Sequence, residues 1–192
     1  MKRAIAVLFL LTANAAAVEL HVQFGALERM LAEQVFTQEG RRYVKGNKDN
    51  KCNFAYLEKP HVRGEGDRLR MTARFSGRST LNLAGLCVGV GDAFDLVILA
   101  LPIYKNGAVM LQNVKVTSEG KTGFYIRRVC SAMEASLARD FKYALERDAR
   151  AMLENPEVQP SYKREVRKFD VRDIRVTNDA LVVQVDFELT VK

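Results

Sequence analysis

Apolar positions recur at two spacings along this chain, and each spacing predicts its own kind of element. Residues 18–24 alternate, with Leu20, Val22 and Phe24 on one side, which predicts a short strand. Over 26–37 the period lengthens. Leu27, Met30, Leu31 and Val35 share one helical face, Glu28, Arg29 and Glu33 take the other, and Gly40 offers a stop. Residues 42–45 suit a short strand, and 46–51 (Gly-Asn-Lys-Asp-Asn-Lys) form a polar run of turn residues. Alternation then returns in pairs: 53–63 with 69–78 through Gly64-Glu65-Gly66-Asp67, and 93–104 with 108–117 through Lys105-Asn106-Gly107. Both pairs predict hairpins, the second more sharply because Asn-Gly adopts positive φ at little cost. A last hairpin, 166–176 with 181–191, turns at Asn178-Asp179. There Leu181, Val183, Val185, Phe187, Leu189 and Val191 make an unbroken apolar face opposite Gln184, Asp186, Glu188 and Thr190.

One stretch predicts a long amphipathic helix. Across 124–153, Tyr125, Ile126, Val129, Cys130, Met133, Leu137, Phe141, Leu145, Ala149 and Met152 recur at steps of three and four, until Asn155-Pro156 ends the pattern. The chain thus predicts an α+β domain of antiparallel hairpins with one short and one long helix. The segment 96–101 (Leu-Val-Ile-Leu-Ala-Leu) is apolar on both strand faces and calls for cover on each. The long helix can cover one face of a strongly curved sheet; the 26–37 helix or another subunit would cover the other. Glycines at 85, 89 and 91 suggest a nucleotide cradle, but a strand follows them where a dinucleotide fingerprint needs a helix. They read instead as flexible backbone at a sheet corner.

The first 17 residues change where such a domain would work. Lys2 and Arg3 precede an apolar run from Ala4 to Leu11, and small residues close at Ala15 and Ala17. That order is the one of a secretory signal peptide, and the apolar run is too short to serve as an anchor. The expectation is a leader over 1–17 and a single domain over 18–192, soluble and periplasmic, with no lipid-accepting cysteine after the cleavage site. The net charge of +7 is mild, and most bases are interspersed with acids, as in Arg63, Glu65, Asp67, Arg68 and Arg70. A nucleic-acid binder would concentrate that charge, so no nucleic acid is expected; weak attraction to anionic headgroups fits better. In an oxidising compartment the three cysteines allow three single bridges. Cys52 and Cys87 both flank strand-like segments near turns, which favours that pair, while Cys130 sits among apolar helix positions as a free thiol.

Little in the sequence points to catalysis. His21 and His61 are the only imidazoles, and neither stands beside a nucleophile motif. Metal-ligand spacing, a nucleophile elbow and a phosphate loop are all missing from the sequence, so neither an enzyme nor a cofactor is expected.

The order of elements and two short motifs carry a resemblance. Leu99-Ala100-Leu101-Pro102-Ile103-Tyr104 ends an apolar strand at Pro-x-Tyr, Gly107-Ala108 opens the next, and Pro160-Ser161-Tyr162 repeats Pro-x-Tyr before the last strands. In this the chain resembles the tubular lipid-binding superfamily of bactericidal/permeability-increasing protein, and more closely the bacterial YceB-like envelope proteins. The resemblance implies a highly curved antiparallel sheet wrapped around one long amphipathic helix, with a lipid or other hydrophobic ligand bound or shuttled between them. Carried over as a region, that groove would be lined by Leu96, Ile98, Leu111, Met133, Leu137, Phe141, Val183, Val185 and Phe187. The competing expectation is a non-enzymatic envelope interaction module that presents its apolar strand to a protein partner or to a second copy.

Overall fold

The computed structural model describes residues 18–84, 86–157 and 162–192. The leader expected over 1–17 lies outside them, as do Pro160 and Ser161 of the second Pro-x-Tyr motif. Nine strands and three helices follow in the order β1 (Val18–Gln23), α1 (Phe24–Gln34), β2 (Arg41–Lys45), β3 (Asn53–Glu65), β4 (Arg68–Leu83), β5 (Leu86–Lys105), β6 (Ala108–Glu119), α2 (Phe124–Asp140), β7 (Lys142–Tyr143), α3 (Leu145–Glu154), β8 (Arg164–Val176) and β9 (Ala180–Val191). A six-stranded meander runs β2-β3-β4-β5-β6-β7 and curls into a half-barrel; a three-stranded sheet runs β1-β9-β8. All neighbours are antiparallel. The three hairpins read from the sequence are present, with Gly107 at φ +76° in the β5–β6 turn.

The curl has local causes. In β3 the register shifts between Glu58 and His61, where Lys59 takes φ +54° ahead of Pro60. In β6 it shifts opposite Leu99 and Leu101, with Asn113 at φ +51°. Each bulge adds a residue to one strand and bends the ladder locally.

The long helix is not there. Its span holds two short helices separated by an extended break at Phe141, whose backbone sits at φ −71°, ψ 118°. The reason is the free edge of β6. Glu134, on α2, already caps that edge by accepting a hydrogen bond from the Val116 N–H at 3.2 Å. Two turns later the main chain itself unwinds, and Lys142 and Tyr143 pair with Met110 and Val109. The pairing satisfies edge groups of β6 and backbone groups of the unwound segment together, which offsets the helical hydrogen bonds given up at the break. The α3 helix restarts with the Glu146 N–H donating to the Gly107 carbonyl at 3.0 Å. With 58% of the described residues in strand, the architecture is a curled antiparallel sheet lidded by three short helices, not a sheet wound on one long helix.

Two apolar clusters line the concave face. In the first, Ile126, Cys130 and Met133 of α2, at helical spacing, meet Phe75, Phe94, Leu96, Ile98, Val114 and Val116 from the sheet. Helix α1 closes the β3 side, where the Glu28 carboxylate accepts the Val62 N–H at 2.7 Å. The second cluster joins Val171, Leu181, Val183 and Val185 of the small sheet to Leu69 and Tyr104 of the large one and Leu145 of α3. At that junction Gly64 lies so close to the Thr177 carbonyl that any Cβ there would collide with backbone. From the small sheet to α2, then, apolar side chains pack along the concave face.

The 86–92 segment is also not a corner. Strand β5 runs straight through it from Leu86, paired with β4 without a register shift down to Leu83–Leu86.

Candidate functional site

The nine residues expected to line a groove do not converge on one space. Leu96, Ile98 and Met133 are interior members of the first cluster, with Leu96 at 0% exposure, and Leu111 and Leu137 pack on its margin. Val183 and Val185 belong to the second cluster. Phe141 sits half-buried at the helix break, and Phe187 is 39% exposed on β9. The doubly apolar 96–101 segment is covered within the chain: Leu96, Ile98 and Ala100 are buried on one face and Val97 on the other. A depression of about 740 Å³ does exist, but elsewhere: it lies beside the disulfide, lined by the 47–51 loop, Asn53 and Thr80, and is open to solvent.

The titratable groups are similarly dispersed. His21 faces Glu19 at 3.4 Å and His61 faces Glu28 at 3.5 Å, both in solvent. Among the described residues no group of three His, Cys, Asp or Glu side chains could hold a metal ion. Cys130 is a buried thiol whose pKa burial pushes up, which makes it a poor nucleophile. On the outer face of the sheet, Tyr56 stacks on Phe54 with centroids 5.7 Å apart and meets Tyr43 at a tilt, 5.3 Å away, while the Arg41 guanidinium lies over the Tyr56 ring. That guanidinium is already paired with Glu58 at 3.3 Å.

What stands apart is the far end of the β4–β5 hairpin. Strand β3 accompanies β4 only to Ser79, and β6 accompanies β5 only to Asp95. Beyond those points, among the described residues, β4 and β5 have only each other as strand partners. Alternate residues of β5 keep their faces, so the positions that bury Phe94, Leu96 and Ile98 continue outward as Asp92, Val90, Val88 and Leu86. The α2 helix stops covering them at its own start: the Tyr125 hydroxyl reaches only to Gly77, 3.1 Å from where a Cβ would stand. Past it, Leu86, Val88 and Val90 are 70%, 56% and 61% exposed. In the register Leu83 and Leu81 stand opposite Leu86 and Val88. The 13 residues 79–91 carry no charge, in a chain that is 28% charged. This arm is the core-facing surface of the sheet, extended beyond its cover.

The arm is also stiffened. Cys52 and Cys87 form the disulfide expected from their setting, with Cα atoms 5.2 Å apart, and the Thr80 hydroxyl donates to the Cys52 carbonyl. The bridge ties β5 to the chain entering β3, across the intervening strand. At the other side of the root, Lys121 donates to the Asp92 carboxylate at 2.5 Å and to the Ala93 carbonyl at 3.0 Å. The Lys121 contact, helped by the Ala93 N–H, holds the Asp92 carboxyl below its ordinary pKa. Because the folded value is depressed, the contact contributes fully above the ordinary carboxylate range and fades only as pH falls through the lowered value.

Sequence reading missed this feature. Its signals were the period-two spacing of Leu86, Val88 and Val90 and the absence of charge over 79–91, both obscured by the glycines between them. Comparison with protein-family models, with curated proteins and with solved structures finds no match to this chain. Among the described residues no helix is long and apolar enough to cross a membrane. The disulfide is the bond expected of an exported chain.

Proposed function

We propose that this protein is a non-enzymatic interaction module of the bacterial envelope, exported to the periplasm, that docks through the uncharged arm formed by the ends of β4 and β5. The observation that carries the proposal is the exposure of Leu86, Val88 and Val90 in a row on a disulfide-braced ribbon. Fully burying one aliphatic side chain of this size contributes about 1.5–3 kcal/mol, so a three-residue strip is a substantial docking surface. A contiguous apolar strip left open on an otherwise charged protein marks a site of interaction. The lipid-in-a-groove reading would need ligand-sized space beneath α2. Side chains of both elements occupy that interface, so the docking reading rests on the open strip instead.

The variant L86S/V88S/V90S tests it. These side chains are exposed, so the variant is expected to keep its fold, its disulfide and its melting temperature within a few degrees. Wild-type protein is expected to sediment with the envelope fraction of gently lysed cells, and the variant to be released. A wild type recovered wholly in the free periplasmic fraction, in the same proportion as the variant, would overturn the proposal.

A further inference from the structure

The surroundings of the arm indicate what it docks on. Five bases lie on the segments that meet at its root, with Lys48 further along one of them. Lys48 and Lys51 lie in the loop leading to Cys52, Arg78 pairs with Gly91, and Lys121 holds Asp92. Arg127 and Arg128 are exposed in the first turns of α2, next to the Tyr125 that reaches Gly77. Of the acids in and beside these segments, Asp92 is paired with Lys121 and Glu119 with Arg70, which leaves Asp49 and, beside Lys48, Glu39. Phe124, at the same end of α2, is 77% exposed. An apolar tip, an exposed aromatic ring and a ring of bases behind them form the sequence of chemistries met on entering a bilayer from water: acyl chain, interface, anionic headgroup. Long basic side chains can hold phosphate oxygens while their stems lie along apolar surface.

We propose, resting on the docking reading above, that the partner of the arm is the surface of an anionic lipid bilayer. The tip would enter the headgroup region, and Lys51, Arg78, Arg127 and Arg128 would face the phosphates. A second copy fits less well. The bases at the root have no acidic counterpart on the uncharged arm of a second copy, and like-charged roots oppose its approach.

The chain contains no tryptophan, so V88W introduces a single reporter at the tip and E188W a control on β9. Each protein is mixed with vesicles of phosphatidylcholine alone and of equal parts phosphatidylcholine and phosphatidylglycerol. Expected are a blue shift and quenching by brominated acyl chains for V88W with the anionic vesicles only, and no change for E188W. In co-sedimentation, wild type is expected to bind anionic vesicles, L86S/V88S/V90S to bind them at least tenfold more weakly, and R127Q/R128Q to lose several-fold with a shallower salt dependence. Circular dichroism of each variant establishes that it is folded. Two results would overturn the membrane inference and leave the docking reading standing: an arm-dependent dimer in sedimentation velocity, or an arm-dependent cross-link to an envelope protein, each with no binding to vesicles. Vesicle binding that the triple variant retains also overturns it. Should the arm prove irrelevant to vesicles, dimerisation and cross-linking alike, both readings fall.

Discussion

Replacing Phe94 by alanine is expected to destabilise the protein by about 3–5 kcal/mol, the usual cost of emptying a large aromatic site in a close-packed interior. Phe94 lies at the centre of the first cluster, directly opposite Phe75 in the β4–β5 register, with the two ring centroids 5.0 Å apart. It is among the largest fully buried side chains of the described chain. The alanine variant would lose the ring's buried surface, the tilted aromatic pair and the support beneath α2 together. Phe94→Leu keeps most of the volume and is expected to cost less than half as much. Urea denaturation with circular dichroism measures both. The result bears on function as well as on stability. A cost near 1 kcal/mol would mean that the helix–sheet interface is loosely filled, and would return weight to a ligand lying within it.

Removing the disulfide, as C52A/C87A, is expected to cost about 4 kcal/mol on the chain-entropy estimate for a closed loop of this size, the two cysteines being 35 residues apart. The loss should not be spread evenly. The bridge fastens the arm where Thr80 and Cys52 meet, so hydrogen exchange in 79–91 is expected to speed up more than exchange in the first cluster. Equal acceleration in the two regions would show that the bond stabilises the whole sheet and does not brace the arm. The single variant C130A leaves a small buried site to collapse and is expected to cost far less.

The hairpins were legible in the sequence because their determinants are local. Asn106-Gly107 and Asn178-Asp179 sit between alternating runs, and the turns close there. The break between α2 and α3 was not legible, because the helical period continues through it: Leu137, Phe141 and Leu145 keep four-residue spacing. What ends the helix is the unpaired edge of β6, more than twenty residues upstream in sequence, and no window over 124–153 contains that edge. That the nine candidate lining residues divide between two clusters and two outlying positions was not legible for a related reason. Strand alternation tells which residues share a face, but not that the small sheet caps one end of that face while α2 fills the middle. The arm was hidden by its own composition. Gly89 and Gly91 read as flexible backbone at a sheet corner, whereas β4 supplies every pairing that makes 86–91 a strand. The pairing of Cys52 with Cys87, by contrast, could be favoured from the strand-like segments beside each cysteine.

An in-cell photo-cross-linking comparison of Val88 with Glu188 speaks to the docking role without presupposing the partner. A photoreactive amino acid placed at position 88 reports from the tip of the arm, and one at position 188 from a solvent-facing position of β9. Illumination of living cells is expected to give adducts at position 88, to lipid if the membrane inference holds, and at most background at position 188. Position 88 remaining as free of adducts as position 188, in protein shown to carry the Cys52–Cys87 bond, would contradict the assignment of the arm as a docking surface.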